Sequence, residues 1–155
     1  MSNFTLSRIS KRRLVKELVE ITIEHLPEIS VGLKGDNLHE WEAIIQGPHD
    51  TPYEGGKFIL NMIFPENYPM KPPVVTFQTQ IYHCNVNSDG KLSLNILGNN
   101  WSPALTPEKL LLSIVSLLND CDSQYPFVPE IAAQYINNRE EHDQVCKDWT
   151  KKYAT

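Results

Sequence analysis

The side chains best suited to chemistry stand together in one stretch, Ile81–Leu97, which carries His83, Cys84, Asn85, Ser93 and Asn95. Asn, Asp and Gly punctuate it, with Ser88-Asp89-Gly90 as the turn signal. Ile81 and Tyr82 lead in, while Leu92, Leu94 and Ile96 alternate on the way out, which turns Ser93 and Asn95 to the opposite face. The pattern therefore sets a small hydroxyl on a ledge near a loop amide, Asn85. A serine hydroxyl attacks an acyl carbon only when a dedicated base takes its proton. His83 is the candidate that the sequence offers for that base. Taken alone, Asn85 reads equally well as a turn residue bonding its own backbone.

The elements that must hold this stretch are legible on both sides of it. Thr5 to Glu24 reads as an amphipathic helix, with Leu6, Ile9, Leu14, Leu18 and Ile21 as its apolar stripe and Lys11, Arg12, Arg13 and Lys16 mostly away from it. Four strand-like runs follow: Ile29 to Leu33, His39 to Gln46, Lys57 to Phe64 and Val74 to Phe77. They are joined by short polar turns with no helix between them, so an antiparallel meander is expected. Proline in this half is confined to connections, where its missing N–H does no harm. After the central stretch, Thr106 is the expected N-cap and Pro107 the first residue of a helix that is apolar on nearly all sides from Leu110 to Leu118. Two more helices are expected, from about Pro129 to Asn137 and from about Arg139 to Tyr153, the last amphipathic through Val145 and Trp149. Helix, four strands, loop and three helices make an α+β domain.

Composition narrows the function. The 155 residues carry a formal charge of −5, which gives no support to nucleic-acid binding. No apolar run is long enough to span a membrane. Cys84, Cys121 and Cys146 are an odd, widely spaced set with no CxxC pair, expected as reduced thiols in a cytoplasmic or nuclear protein.

Ile81–Leu97 resembles the active-site loop of ubiquitin-conjugating enzymes, whose pattern is His-Pro-Asn, a short turn, then Gly-x-(Ile/Val/Leu)-Cys-Leu. The resemblance runs from about Lys11 to Ala154. Six markers, one of them the start of this loop, stand in family order: Tyr53-Glu54-Gly55-Gly56, Tyr68-Pro69-Met70-Lys71-Pro72-Pro73, Ile81-Tyr82-His83, Trp101-Ser102-Pro103-Ala104-Leu105-Thr106, Val128-Pro129-Glu130-Ile131-Ala132 and Trp149-Thr150-Lys151-Lys152-Tyr153-Ala154. It implies the ubiquitin-conjugating fold, with residues 1–10 as an N-terminal extension of the first helix and 11–155 as the catalytic core domain. Two departures fall in the loop. Ser93 stands where the family has its nucleophilic Cys, and Cys84 where it has Pro. Cys121 likewise stands where relatives have Pro.

The resemblance implies the following roles. Ubiquitin would pass from an activating enzyme to a substrate lysine with a RING/U-box or HECT ligase. The ATP is used by the activating enzyme, so this chain needs no cofactor or metal. A monomer is expected, with neither nucleic acid nor membrane as partner. Asn85 would donate to the oxyanion or order its loop, and His83 would be structural. Asn95, Gln124 and Tyr125 occupy positions where relatives carry acids that orient the incoming lysine, with Asp120 and Asp122 nearby as partial substitutes. The ligase-facing surface would comprise Arg13, Lys16, Met70, Ser102, Pro103 and Ala104. Ser30 matches a position through which some relatives bind a second ubiquitin. Because a thiol carries an acyl group and a hydroxyl does so poorly, Ser93 is expected to accept ubiquitin slowly if at all. Two readings of position 93 stay open: a Cys-to-Ser replacement made to inactivate or trap an enzyme, or a natural Cys-less variant that binds ubiquitin or ligases. A purely structural role has no residue in its favour.

Overall fold

The computed structural model describes residues 3–155, with side chains described from Ser7 onward. The side chain of Leu6, on the expected apolar stripe, and the first two residues of the expected N-terminal extension lie outside the described part. Helix α1 spans Asn3–Glu24, followed by strands β1 (Ile29–Leu33), β2 (Glu40–Gln46), β3 (Lys57–Ile63) and β4 (Val74–Phe77). Helices α2 (Pro107–Asn119), α3 (Pro129–Asn137) and α4 (Arg139–Tyr153) complete the chain.

The sheet is a four-stranded antiparallel meander in the order β1-β2-β3-β4. Its register brings the inward residues opposite one another, Ala43 with Leu60, Trp41 with Met62, and Leu60 with Phe77. Trp41, Ala43, Ile45, Phe58, Leu60, Met62, Val75 and Phe77 are all buried, as a period of two with one covered face requires. Leu14 and Ile21 of α1 join the same core, as do Leu111, Ile114 and Leu118 of α2.

Three elements are patterned differently from the sequence expectation. On α1, Ile9 is exposed, and the buried line runs instead through Ser10, Leu14, Glu17 and Ile21, spaced for one helix face. Polar side chains in that line find partners there: Ser10 Oγ is 3.1 Å from His39 Nε2, and Glu17 is bonded twice through Oε1, while its buried Oε2 has no hydrogen-bond partner among the described residues. Helix α2 is amphipathic rather than enclosed, burying Leu110, Leu111, Ile114 and Leu118 while Leu112 faces solvent. Its expected cap holds, with Thr106 Oγ1 accepting from Lys109 N. On α4 the buried line is His142, Cys146 and Thr150, which Val145 and Trp149 only flank. Among the described residues, no helix is long and apolar enough to cross a membrane.

Candidate functional site

Helices and sheet leave the stretch after β4 to fold as a series of fixed turns. Asn87 organises the first of these, its Oδ1 accepting from Asp89 N at 3.0 Å and Lys91 N at 2.9 Å. Gly90 is required twice over. Its φ is +83°, and a Cβ there would meet Phe77 O at 2.0 Å, because Phe77 N donates to Gly90 O across this approach. Isolated bridges then pair Lys91 with Thr76 and Leu92 with Val86.

The expected alternation stops after Leu94. A 3-10 turn at Asn95–Leu97 rotates the chain, so Leu97 rather than Ile96 joins Leu92 and Leu94 against the core. Ser93 N donates to Asn85 O at 2.8 Å, which fixes residue 93 beside the loop. The Ser93 side chain is half-buried, and Asn95 beyond it is exposed. Among the described residues none hydrogen-bonds the Ser93 hydroxyl.

His83 is not available to activate that hydroxyl. It is buried, its Nε2 lies 2.8 Å from Leu117 O, and its Nδ1 accepts from Asn85 N at 3.0 Å. These partners assign the proton to Nε2 and leave the ring neutral. Burial pushes its pKa down to about 4. The ring ties its own loop to α2.

Asn85 is fully buried and its amide is saturated. Oδ1 accepts from Asp122 N at 2.9 Å, with Cys84 Sγ at 3.4 Å. Nδ2 donates to Asp122 O at 3.0 Å and to Tyr125 O at 3.4 Å. Two amide hydrogens facing two carbonyls leave none to direct at an oxyanion. Of the two roles expected for Asn85, this geometry performs loop ordering: it clips the segment Asp122–Tyr125 onto the stretch that presents Ser93. Asp122 takes part through its backbone, while its exposed carboxylate accepts from Tyr125 N at 3.4 Å. The Tyr125 side chain is 69% exposed, and Gln124 is exposed too.

Residues of the expected ligase-facing surface are joined by contacts that sequence alone does not reveal. Arg13 Nε donates to Glu17 Oε1 at 2.9 Å, and Arg13 Nη2 donates to Leu105 O at 2.9 Å. Tyr68 OH donates to the same Glu17 oxygen at 2.7 Å, and Trp101 Nε1 donates to Pro69 O at 2.9 Å. The loops on either side of Met70 and Ser102–Ala104 are thereby tied to α1. Met70 is 61% exposed, and Lys16, Ser102, Pro103 and Ala104 are exposed as well. Burial raises the Glu17 pKa, against the lowering effect of its bonds to Tyr68 and Arg13. The i,i+4 spacing of Arg13 and Glu17 was the one trace of this network in the sequence. Ser30 lies exposed on β1, paired in register with Ile44 of β2.

The comparisons agree with this geometry. A family model described as ubiquitin-conjugating enzyme matches residues 13–150. Among solved structures, the E2 domain of a Toxoplasma gondii ubiquitin-conjugating enzyme is 40% identical, with a TM-score of 0.86. The match covers 93% of this chain and 98% of that one. A helix, a four-stranded meander, a turn-rich loop locked by His83 and Asn85, and three closing helices thus go with sequence similarity along almost the whole length: the chain belongs to the ubiquitin-conjugating enzyme family.

Proposed function

We propose that this chain has the scaffold of an enzyme that takes ubiquitin from an activating enzyme and delivers it to substrate lysine with a RING/U-box or HECT ligase. We read Ser93 as a Cys-to-Ser replacement that removes thioester chemistry and leaves the docking surfaces in place. The observation that carries this reading is the ledge itself. Residue 93 is held by Asn85 O, and His83 and Asn85 form a complete structural clip around it. A loop so tightly built has no need of its hydroxyl for folding, since nothing described bonds it. With neither His83 nitrogen free, Ser93 lacks a base, and a hydroxyl without a base is a poor nucleophile.

One experiment separates this from its rival. Ser93→Cys, given activating enzyme, ubiquitin and ATP, is expected to form an adduct that dithiothreitol cleaves. The chain with Ser93 should give none, or a slow adduct that resists thiol and yields to hydroxide. Failure of the restored thiol to charge would overturn the enzyme reading. The rival is a natural non-conjugating variant that binds ubiquitin or ligases. The exposed Tyr125, Gln124 and Asn95 favour it, since none of them offers a carboxylate to an incoming lysine amine.

The docking surface has its own test. Met70 is a solvent-exposed apolar side chain on a loop braced from below by Tyr68 and Trp101, which is how a small binding hot spot is built. Met70→Ala is expected to weaken RING-ligase affinity by about 1 kcal/mol or more, roughly fivefold, without changing thermal stability. Unchanged affinity by titration calorimetry would remove Met70 from the interface.

A further inference from the structure

The fold brings together two of the three cysteines that the sequence spreads widely apart. Cys84 follows His83 in the loop, and Cys121 follows the end of α2. The two segments that carry them meet in the fold. Asn85, next to Cys84, holds Asp122, next to Cys121, through both its N–H and its C=O. Cys84 Sγ lies 3.7 Å from the carbonyl oxygen of Asp122, the residue after Cys121, which brings the two thiols near enough for each to shift the other's pKa. The third thiol, Cys146, is turned away to Tyr53 OH, Tyr82 O and the His142 ring.

We propose that Cys84 and Cys121 are a redox-active dithiol, oxidised by hydrogen peroxide to an intramolecular disulfide that staples the loop after α2 to the His83–Asn85 loop.

The two sulfurs differ in the way such a pair requires. Cys121 is half-exposed and lines a polar cavity of about 110 Å3 together with Tyr135, Arg139 and His142. The neighbouring Cys84 thiol lowers its pKa against the raising effect of burial, and the Arg139 guanidinium, stacked 3.4 Å from the Tyr135 ring, lowers it further. That makes it the attacking thiolate. Cys84 is 1% exposed, and the neighbouring Cys121 together with burial raises its pKa, so it stays a thiol until Cys121 has reacted. In the first step the Cys121 thiolate forms an S–O bond as the peroxide O–O bond breaks, and the departing hydroxide becomes water by taking up, through solvent, the proton that Cys121 released on ionising. In the second, Cys84 sulfur attacks the sulfenic sulfur of Cys121. The S–S bond forms, the S–O bond breaks, and the departing hydroxide takes the Cys84 proton as water. The two thiols give up two electrons, and one peroxide becomes two waters. None of these steps involves residue 93, so the inference does not depend on the function proposed above.

The test uses the full chain and a few equivalents of hydrogen peroxide at neutral pH, followed by alkylation in denaturant and peptide mapping without reductant. The expected product is a monomer with a Cys84–Cys121 linked peptide pair, two hydrogens lighter, and with Cys146 still alkylated. Dithiothreitol should restore all three thiols. Cys121→Ser, a change at the half-exposed end that leaves folding intact by circular dichroism, should abolish the linkage and leave Cys84 reduced. Cys84→Ser, where it folds, should stop the reaction at a Cys121 sulfenic acid that a dimedone probe captures. Three remaining thiols, a linkage through Cys146, a disulfide between two molecules, or Cys121 sulfinic acid beside a free Cys84 would each overturn the proposal.

Discussion

Replacing Asn85 with alanine is expected to destabilise the protein by about 2–4 kcal/mol, the largest effect foreseen for any single side chain of the loop. The asparagine is fully buried, and its amide satisfies Asp122 N, Asp122 O and Tyr125 O. Truncation leaves those backbone groups without partners, which is more damaging than losing the bonds alone. The Asp122–Tyr125 segment can regain some of them by turning to water, which keeps the effect within that range. Urea unfolding at pH 7 measures it directly.

Asn85→Asp sharpens the point. The substitution puts a carboxylate oxygen where Nδ2 now faces two carbonyls. At pH 7 it should be at least as damaging as alanine. As pH falls and the carboxyl takes a proton, it regains a donor, so the gap between Asp and wild type should narrow in acid. A gap that stayed constant would mean that Nδ2 is not the atom that matters. An Asn85→Ala protein of native stability would show that the clip is dispensable, leaving donation to an oxyanion as the better account of this residue.

How much of this was readable beforehand differs from element to element. Helices α3 and α4 and strands β1 and β4 were bounded by proline, glycine and changes of period, all local signals, and those spans agree with the structure. The lining of α1 was not readable. Ile9 scores as core and Glu17 as surface, but Glu17 is buried because Tyr68, 51 positions away, donates to it. Ile96 departs from its pattern for a similar reason: a 3-10 turn changes the period where the alternation continues in sequence. At the site, the residue types were visible and the orientation of their atoms was not. That Asn85 spends both amide hydrogens on carbonyls depends on where the loop after α2 crosses it, which no spacing in the sequence encodes.

His83 should give the protein a distinct dependence on pH. Its folded-state pKa is lowered to about 4 from 6.5 in the unfolded chain. Between those values the unfolded chain binds the extra proton and the native state does not, so stability falls as pH falls. The His83 contribution is therefore complete above about pH 6.5, declines by at most about 1.4 kcal/mol per pH unit, and is lost by pH 4, for roughly 3 kcal/mol altogether. The cause is visible in the bonds. A second ring proton would point at Asn85 N–H, and a charge would be confined in a buried site. Glu17 works in the opposite sense, since a raised carboxyl pKa favours the native state as pH drops through its own window. His83→Gln separates the two, because its amide can keep the donor to Leu117 O but cannot acquire a charge. The variant should be less stable than wild type at pH 7 and should converge on it towards pH 4.5 in urea unfolding. Parallel profiles across that range would show that the ring is protonated, or solvated, in the native state.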